Sequence, residues 1–171
     1  MDINQARRLL SDAQACFQEL NLPLVNETEK TSCDCCSSYL QFRSWKMDKG
    51  SMAEILFSVY PNDEIIELCM NFYVDIDESD VIRLLEFING MNYHLIDTYW
   101  ICQTAKGMVL YRFAQMIDEH TFDRDGFIKV VAEFIENGPK DFKFIERLVE
   151  GDENVEPLLM EWLDPVSIED M

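Results

Sequence analysis

Two neighbouring runs in the first half of the chain alternate apolar and polar residues with a period of two, and this pattern constrains the fold more than any other feature. Ala53, Ile55, Phe57 and Val59 alternate with Met52, Glu54, Leu56, Ser58 and Tyr60. Ile66, Leu68, Met70, Phe72 and Val74 alternate with Ile65, Glu67, Cys69, Asn71 and Tyr73. Successive side chains of a strand point to opposite faces of a sheet, so each run predicts a strand with one buried face. Only the Pro61-Asn62-Asp63 turn separates them. A connection that short joins antiparallel neighbours, since a parallel pair needs a crossover of about a dozen residues or more. A third run lies upstream: Leu40 and Phe42 alternate with Tyr39, Gln41 and Arg43, and the pattern continues to Trp45 and Met47. It leads into the second run through Asp48-Lys49-Gly50-Ser51. The three form an antiparallel meander.

Helical periodicity surrounds the meander. Ile3, Ala6, Leu9, Leu10, Ala13, Cys16, Phe17 and Leu20 recur at helical spacing behind Asp2, a suitable N-cap, and Asn21 and Pro23 end that helix. Residues 26–37 are polar and aperiodic and read as a loop. Asp77 opens a second helix with Val81, Leu84, Leu85, Ile88 and Met91 inward. Two more strands follow, Asp97 to Thr104 and Met108 to Ile117, joined at Ala105-Lys106-Gly107. Thr121 caps a third helix that Asn137-Gly138-Pro139 stops, and a short fourth helix carries Phe142, Ile145, Leu148 and Val149 up to Gly151. The expected architecture is α+β, a five-stranded antiparallel sheet flanked by helices in the order αβββαββα with an additional helical C-terminal segment. Residues 1–151 form the domain and residues 152–171 an acidic amphipathic extension.

With 14 Lys and Arg against 33 Asp and Glu, the net charge is −19. Neutralising phosphates needs clustered cations, so non-specific nucleic-acid binding is excluded, and an anionic membrane surface repels such a chain. The N-terminus has no signal-peptide pattern and no stretch approaches a membrane span, which points to the cytoplasm. There the six cysteines read as thiols rather than disulfides.

The order and spacing of these elements resemble the YbjN-like family, whose members share the fold of class I type III secretion chaperones. The most specific segment is Val81-Ile-Arg-Leu-Leu-Glu-Phe-Ile-Asn-Gly-Met-Asn92, which looks like the family's helix with its Asn-x-x-Asn ending. It is followed by the Trp100 and Val109–Phe113 strands and the helix after Thr121. The resemblance spans Ile3 to Gly151. It implies the five-stranded sheet, a homodimer, no enzymatic activity, and a role as a chaperone-like protein or sensory-transduction regulator. Neither the Cys33-Asp34-Cys35-Cys36 cluster nor the acidic end is a feature of that family.

Several groups of residues could carry function. One sheet face is core, while the other can present Trp45, Met47, Tyr60, Tyr73 and Trp100. Exposed aromatic and Met side chains mark interaction surfaces, although helices or a dimer mate could equally cover this face. Cys33 and Cys36 form a C-x-x-C pair, but it precedes a strand instead of opening a helix, and no second pair completes a zinc site. Asp75, Asp77, Ser79 and Glu86 match positions of a calcium loop, yet Asp80 stands where the turn requires Gly and Arg83 where a ligand belongs. His120 beside Glu119 has no placed nucleophile. In the acidic end, Val155, Leu158, Leu159, Trp162 and Leu163 form a stripe that can dock on its own domain, dock on a partner, or fray. The expectation is a non-enzymatic protein-interaction module, chaperone-like or regulatory. It binds a partner protein's segment on an apolar sheet or helix surface, with no cofactor and no metal. The alternative is a metal- or redox-responsive sensor using the Cys33–Cys36 cluster.

Overall fold

A computed structural model describes residues 2–30, 39–48, 51–117, 123–151 and 153–164, and the side chains of 24–30, 39–48, 51, 52 and 124 are not among the described parts. The chain runs α1 (Ile3–Glu19), β1 (Leu24–Lys30), β2 (Tyr39–Asp48), β3 (Ser51–Tyr60), β4 (Ile65–Tyr73), α2 (Val81–His94), β5 (Thr98–Gln103), β6 (Met108–Met116), α3 (Arg124–Glu150) and α4 (Val155–Leu163). The strands form one sheet in the order β1-β2-β3-β4-β6-β5, and every neighbouring pair is antiparallel.

The α+β class stands, but the sheet has six strands among the described residues, so the five-stranded expectation is corrected. The added strand is β1, within a stretch read largely as loop. Val25-Asn-Glu-Thr-Glu-Lys30 has no apolar alternation because β1 lies at the edge. It is held by its backbone ladder to β2, with a register shift between Val25 and Glu27. An edge strand can be polar without loss, and charge there discourages edge-to-edge association.

The second correction concerns α3, which runs unbroken through Gly138 and Pro139 instead of stopping there. A proline inside a helix costs about 3 kcal/mol. Packing offsets this cost on both sides of the break. Phe127 meets Phe57 edge-on at 5.4 Å between ring centroids, Phe134 stacks on Tyr111 at 4.7 Å, and Phe142 stacks on Phe72 at 4.3 Å. Gly138 sits between the last two anchors. A Cβ there would lie 3.0 Å from the Tyr111 ring and 3.1 Å from the Met70 sulfur. The glycine that looked like a stop signal permits the helix to approach the sheet.

Helix starts also differ in detail. Asp2 caps α1 as expected, and Gln5 completes a reciprocal capping box. The residue preceding α2 is Asp80, whose side chain makes no capping bond, and Asp77 contributes only its carbonyl to the Asp80 N–H. Asp123 caps α3, while Thr121 lies outside the described residues.

All four helices contribute to one core on a single face of the sheet, built on Ile55, Phe57, Val59, Ile66, Leu68, Met70 and Phe72. The described part of the acidic extension, residues 153–164, docks on its own domain. Leu158 of α4 is buried, Leu159 lies against Gly90 of α2, and the Trp162 indole donates to Asp141 at 2.9 Å. Arg83 of α2 fixes the α3–α4 junction by donating to the carbonyls of Leu148, Gly151 and Glu153 at 2.8–3.1 Å. Among the described residues, no helix is long and apolar enough to cross a membrane.

Candidate functional site

The sheet face opposite the helices is the candidate site. The strand registers lay its side chains out in rows. Leu56, Cys69, Arg112 and Tyr99 form one row across β3, β4, β6 and β5, and Glu54, Asn71, Leu110 and Ile101 form the next. Cys69, Met108 and Leu110, flanked by Leu56 and Ile101, make a second apolar cluster consisting entirely of strand residues. Leu56, Cys69, Met108 and Leu110 help to line a shallow trough of about 270 Å³ together with Tyr60, Glu67, Asn71, Gln103, Lys106 and Arg112.

Charged and amide groups are set into this apolar floor, and Glu54, Glu67 and Asn71 are buried in it, where such residues are uncommon unless paired. Glu67 is buried and pairs with Arg112, which also lies over the Tyr99 ring with its guanidinium carbon 5.8 Å from the centroid. Burial opposes the Arg112 charge, but the Glu67 carboxylate outweighs it and holds the guanidinium above its ordinary range. The Tyr60 hydroxyl donates to Glu67 at 3.1 Å. Burial, then the Glu67 charge, pushes that phenol up to about 12, so it stays a donor at neutral pH. In a second chain of bonds the Cys69 thiol donates to the Asn71 carbonyl oxygen at 3.2 Å, and the Asn71 amide donates to Glu54 at 2.8 Å. Burial and Glu67 push the Cys69 thiol up to about 12 as well, which keeps it protonated and a poor nucleophile.

Two polar atoms of the trough are left over. Arg112 Nε–H and Gln103 Oε1 are buried and have no hydrogen-bond partner among the described residues. One is a donor and the other an acceptor. Buried groups of either kind are rarely left unmet in native proteins.

The five residues expected on this face divide unevenly. Tyr60 and Tyr73 are on it: Tyr60 lines the trough, and Tyr73, 61% exposed, stands beside it as the register partner of Met108. Trp45 and Met47 stand in β2 as register partners of Glu54 and Met52, and their side chains are outside the described parts. Trp100 is a correction, because it lies on the helix-covered face, 2% exposed, against Phe72 and Tyr111. Asn92 of α2 fixes it there: its side chain accepts from the Trp100 N–H at 2.6 Å and donates to the Trp100 carbonyl at 2.9 Å, imitating a strand on the open edge of β5. The Asn of the helix ending thus sets which face each β5 residue occupies, and it turns Tyr99 and Ile101 outward.

Sequence reasoning did not single out Arg112, Glu67, Asn71 or Gln103. Their signal was polar residues at the outward parity of strands that are otherwise apolar. Cys33, Cys35, Cys36 and His120 lie outside the described residues, and no cluster of His, Cys, Asp and Glu suited to a metal ion occurs among those described. No protein-family model, curated protein or solved structure matches the chain.

Proposed function

We propose that the protein is a non-enzymatic interaction module that binds an extended segment of a partner protein along the trough of its outer sheet face. The observation that carries this reading is the pair of unmet groups, Arg112 Nε–H and Gln103 Oε1, in an apolar floor. Every peptide unit offers one donor and one acceptor, so a segment lying across β4, β6 and β5 can satisfy both once the Gln103 and Arg112 side chains turn toward it. Met108, Leu110 and Ile101 then take its apolar side chains, and Tyr73 supplies exposed aromatic area at the rim. The buried Glu67–Arg112 pair sets polarity without adding net charge, which suits selection of orientation more than raw affinity. The order of elements is also in keeping with a chaperone-like or regulatory role of the YbjN-like kind, with one strand more than that resemblance implies.

The test separates recognition from folding. Gln103→Leu removes the unmet acceptor and fits an apolar floor, so stability should hold or rise while capture of partner from a native extract falls. Tyr73→Asp, at an exposed position, should weaken capture further with no loss of fold. Capture unchanged by both variants would reject the trough as the binding surface.

A further inference from the structure

We infer that a second surface, the solvent side of α2 and α4, docks a cationic amphipathic helix of another protein. This surface is separate from the trough and does not depend on it. The two helices lie side by side in the same direction. Arg83 near the start of α2 reaches the Glu153 carbonyl just before α4, Gly90 meets Leu159, and the His94 ring is 6.5 Å from that of Trp162 near the end of α4.

Their outward faces carry large exposed apolar side chains among the polar ones. Ile82 is 70% exposed, Tyr93 85%, Ile96 94% and Met160 61%, with Leu85 and Leu163 adding partial exposure. Single exposed apolar residues need no explanation, but five on two adjacent helices, with Ile96 just past the end of α2, do.

The charge around this stripe selects the occupant. Residues 75–97 and 153–164 together hold ten acids, one arginine and no lysine. The arginine, Arg83, is engaged with Asp80 and three carbonyls. Glu78, Glu86, Asp97, Glu156 and Asp164 are exposed between or beside the apolar positions and make no ion pair among the described residues. A second copy of this chain would bring two such acidic rims together, and an anionic lipid surface would be repelled in the same way. A helix with an apolar stripe and Lys or Arg flanks matches both features. The furrow between two parallel helices receives a third helix by ridge-into-groove packing.

The probe is a fluorescein-labelled peptide of about 18 residues with Leu on one helical face and Lys elsewhere, long enough to span α2. Controls are a scrambled peptide of the same composition and a Leu/Glu counterpart. The full chain is titrated and followed by anisotropy. The amphipathic Leu/Lys peptide should bind, and added salt should weaken it several-fold. The double variant Ile82→Ser/Tyr93→Ser, at exposed positions, should keep its far-UV dichroism and lose at least about tenfold in affinity. Tyr73→Asp on the trough should leave the affinity unchanged, so failure of one surface is distinguishable from failure of the other. Absence of binding, equal binding of the scrambled or Leu/Glu peptide, or indifference to Ile82→Ser/Tyr93→Ser would overturn the inference. A dimer in sedimentation that the same double variant dissociates would overturn it as well, by assigning the stripe to a second copy.

Discussion

Replacing Arg112 by Met is the sharpest perturbation of the trough. It removes the charge opposite Glu67 while keeping an unbranched side chain of similar reach. Glu67 is 9% exposed and would retain the Tyr60 hydroxyl as a donor. Breaking a buried ion pair from one side costs about 3–5 kcal/mol, because the remaining charge is stranded. The Arg112 side chain is 29% exposed, so water reaches the open end of the pair and lowers the expected cost to about 2–3 kcal/mol. For a chain of this size that corresponds to a fall in Tm of roughly 4–12 °C. Glu67→Gln in the Arg112→Met background should recover about half of the loss, since a neutral amide no longer needs the guanidinium. The assay is urea unfolding of wild type, both single variants and the double variant, read as a double-mutant cycle by tryptophan fluorescence and far-UV dichroism. Arg112→Met costing under about 0.5 kcal/mol, or additive single losses, would refute the claim that the pair is a coupled, buried element.

Other expectations follow from the same contacts. Gly138→Ala should destabilise by about 1–2 kcal/mol despite the higher helix propensity of Ala, because a methyl group there meets the packed Tyr111 ring and Met70 sulfur at 3.0 and 3.1 Å and both must shift; a rise in the urea midpoint would contradict this. Arg83→Ala should cost about 2 kcal/mol through the three carbonyls it serves, whereas Arg147→Ala should cost no more than about 1 kcal/mol although Arg147 grips both Glu153 and Glu161, because that network is exposed; equal urea midpoints for the two variants would be the wrong result. Burial raises the pKa of Asp141, and the Trp162 N–H donation counteracts that shift. A carboxyl whose folded pKa is raised loses stability as pH climbs from its unfolded value through its folded one, so Trp162→Phe should destabilise by about 1–2 kcal/mol at pH 7 and by less at pH 3, measured by urea titrations at both values. Cys69 should resist iodoacetamide at pH 8 in the folded protein and react once the chain is unfolded, as peptide mass mapping would show; rapid native labelling would contradict its protonated, buried state.

The helix-facing half of the sheet was legible in the sequence because every second residue from Ile55 to Val59 and from Ile66 to Phe72 is apolar. The α1 stripe was legible for the same reason at helical period. What was not legible depends on neighbours. β1 has no burial pattern to betray it, since its stability comes from backbone pairing with β2. Gly138-Pro139 is a stop signal in isolation, and only the aromatic anchors at Phe134 and Phe142 override it. Trp100 was misplaced because parity along a short strand fixes a face only relative to its neighbour. The side-chain bonds from Asn92, eight residues earlier in sequence, decide the matter. Of the outer face, Tyr60 and Tyr73 were visible from parity. The Glu67–Arg112 pair was not, because the sequence does not reveal that β4 and β6 become neighbours while β5 lies outside them.

The central claim is that the trough receives a partner's segment, and position-resolved photocrosslinking tests it most directly. A benzophenone amino acid is placed at Tyr73, at the rim of the trough, and at Lys140, on the solvent side of α3, in the full chain exposed to native extract. The account predicts one discrete adduct from position 73, none of it from position 140, and loss of that adduct when Gln103→Leu is combined with the probe. Equal crosslinking from both positions, or an adduct at 73 indifferent to Gln103→Leu, would contradict it.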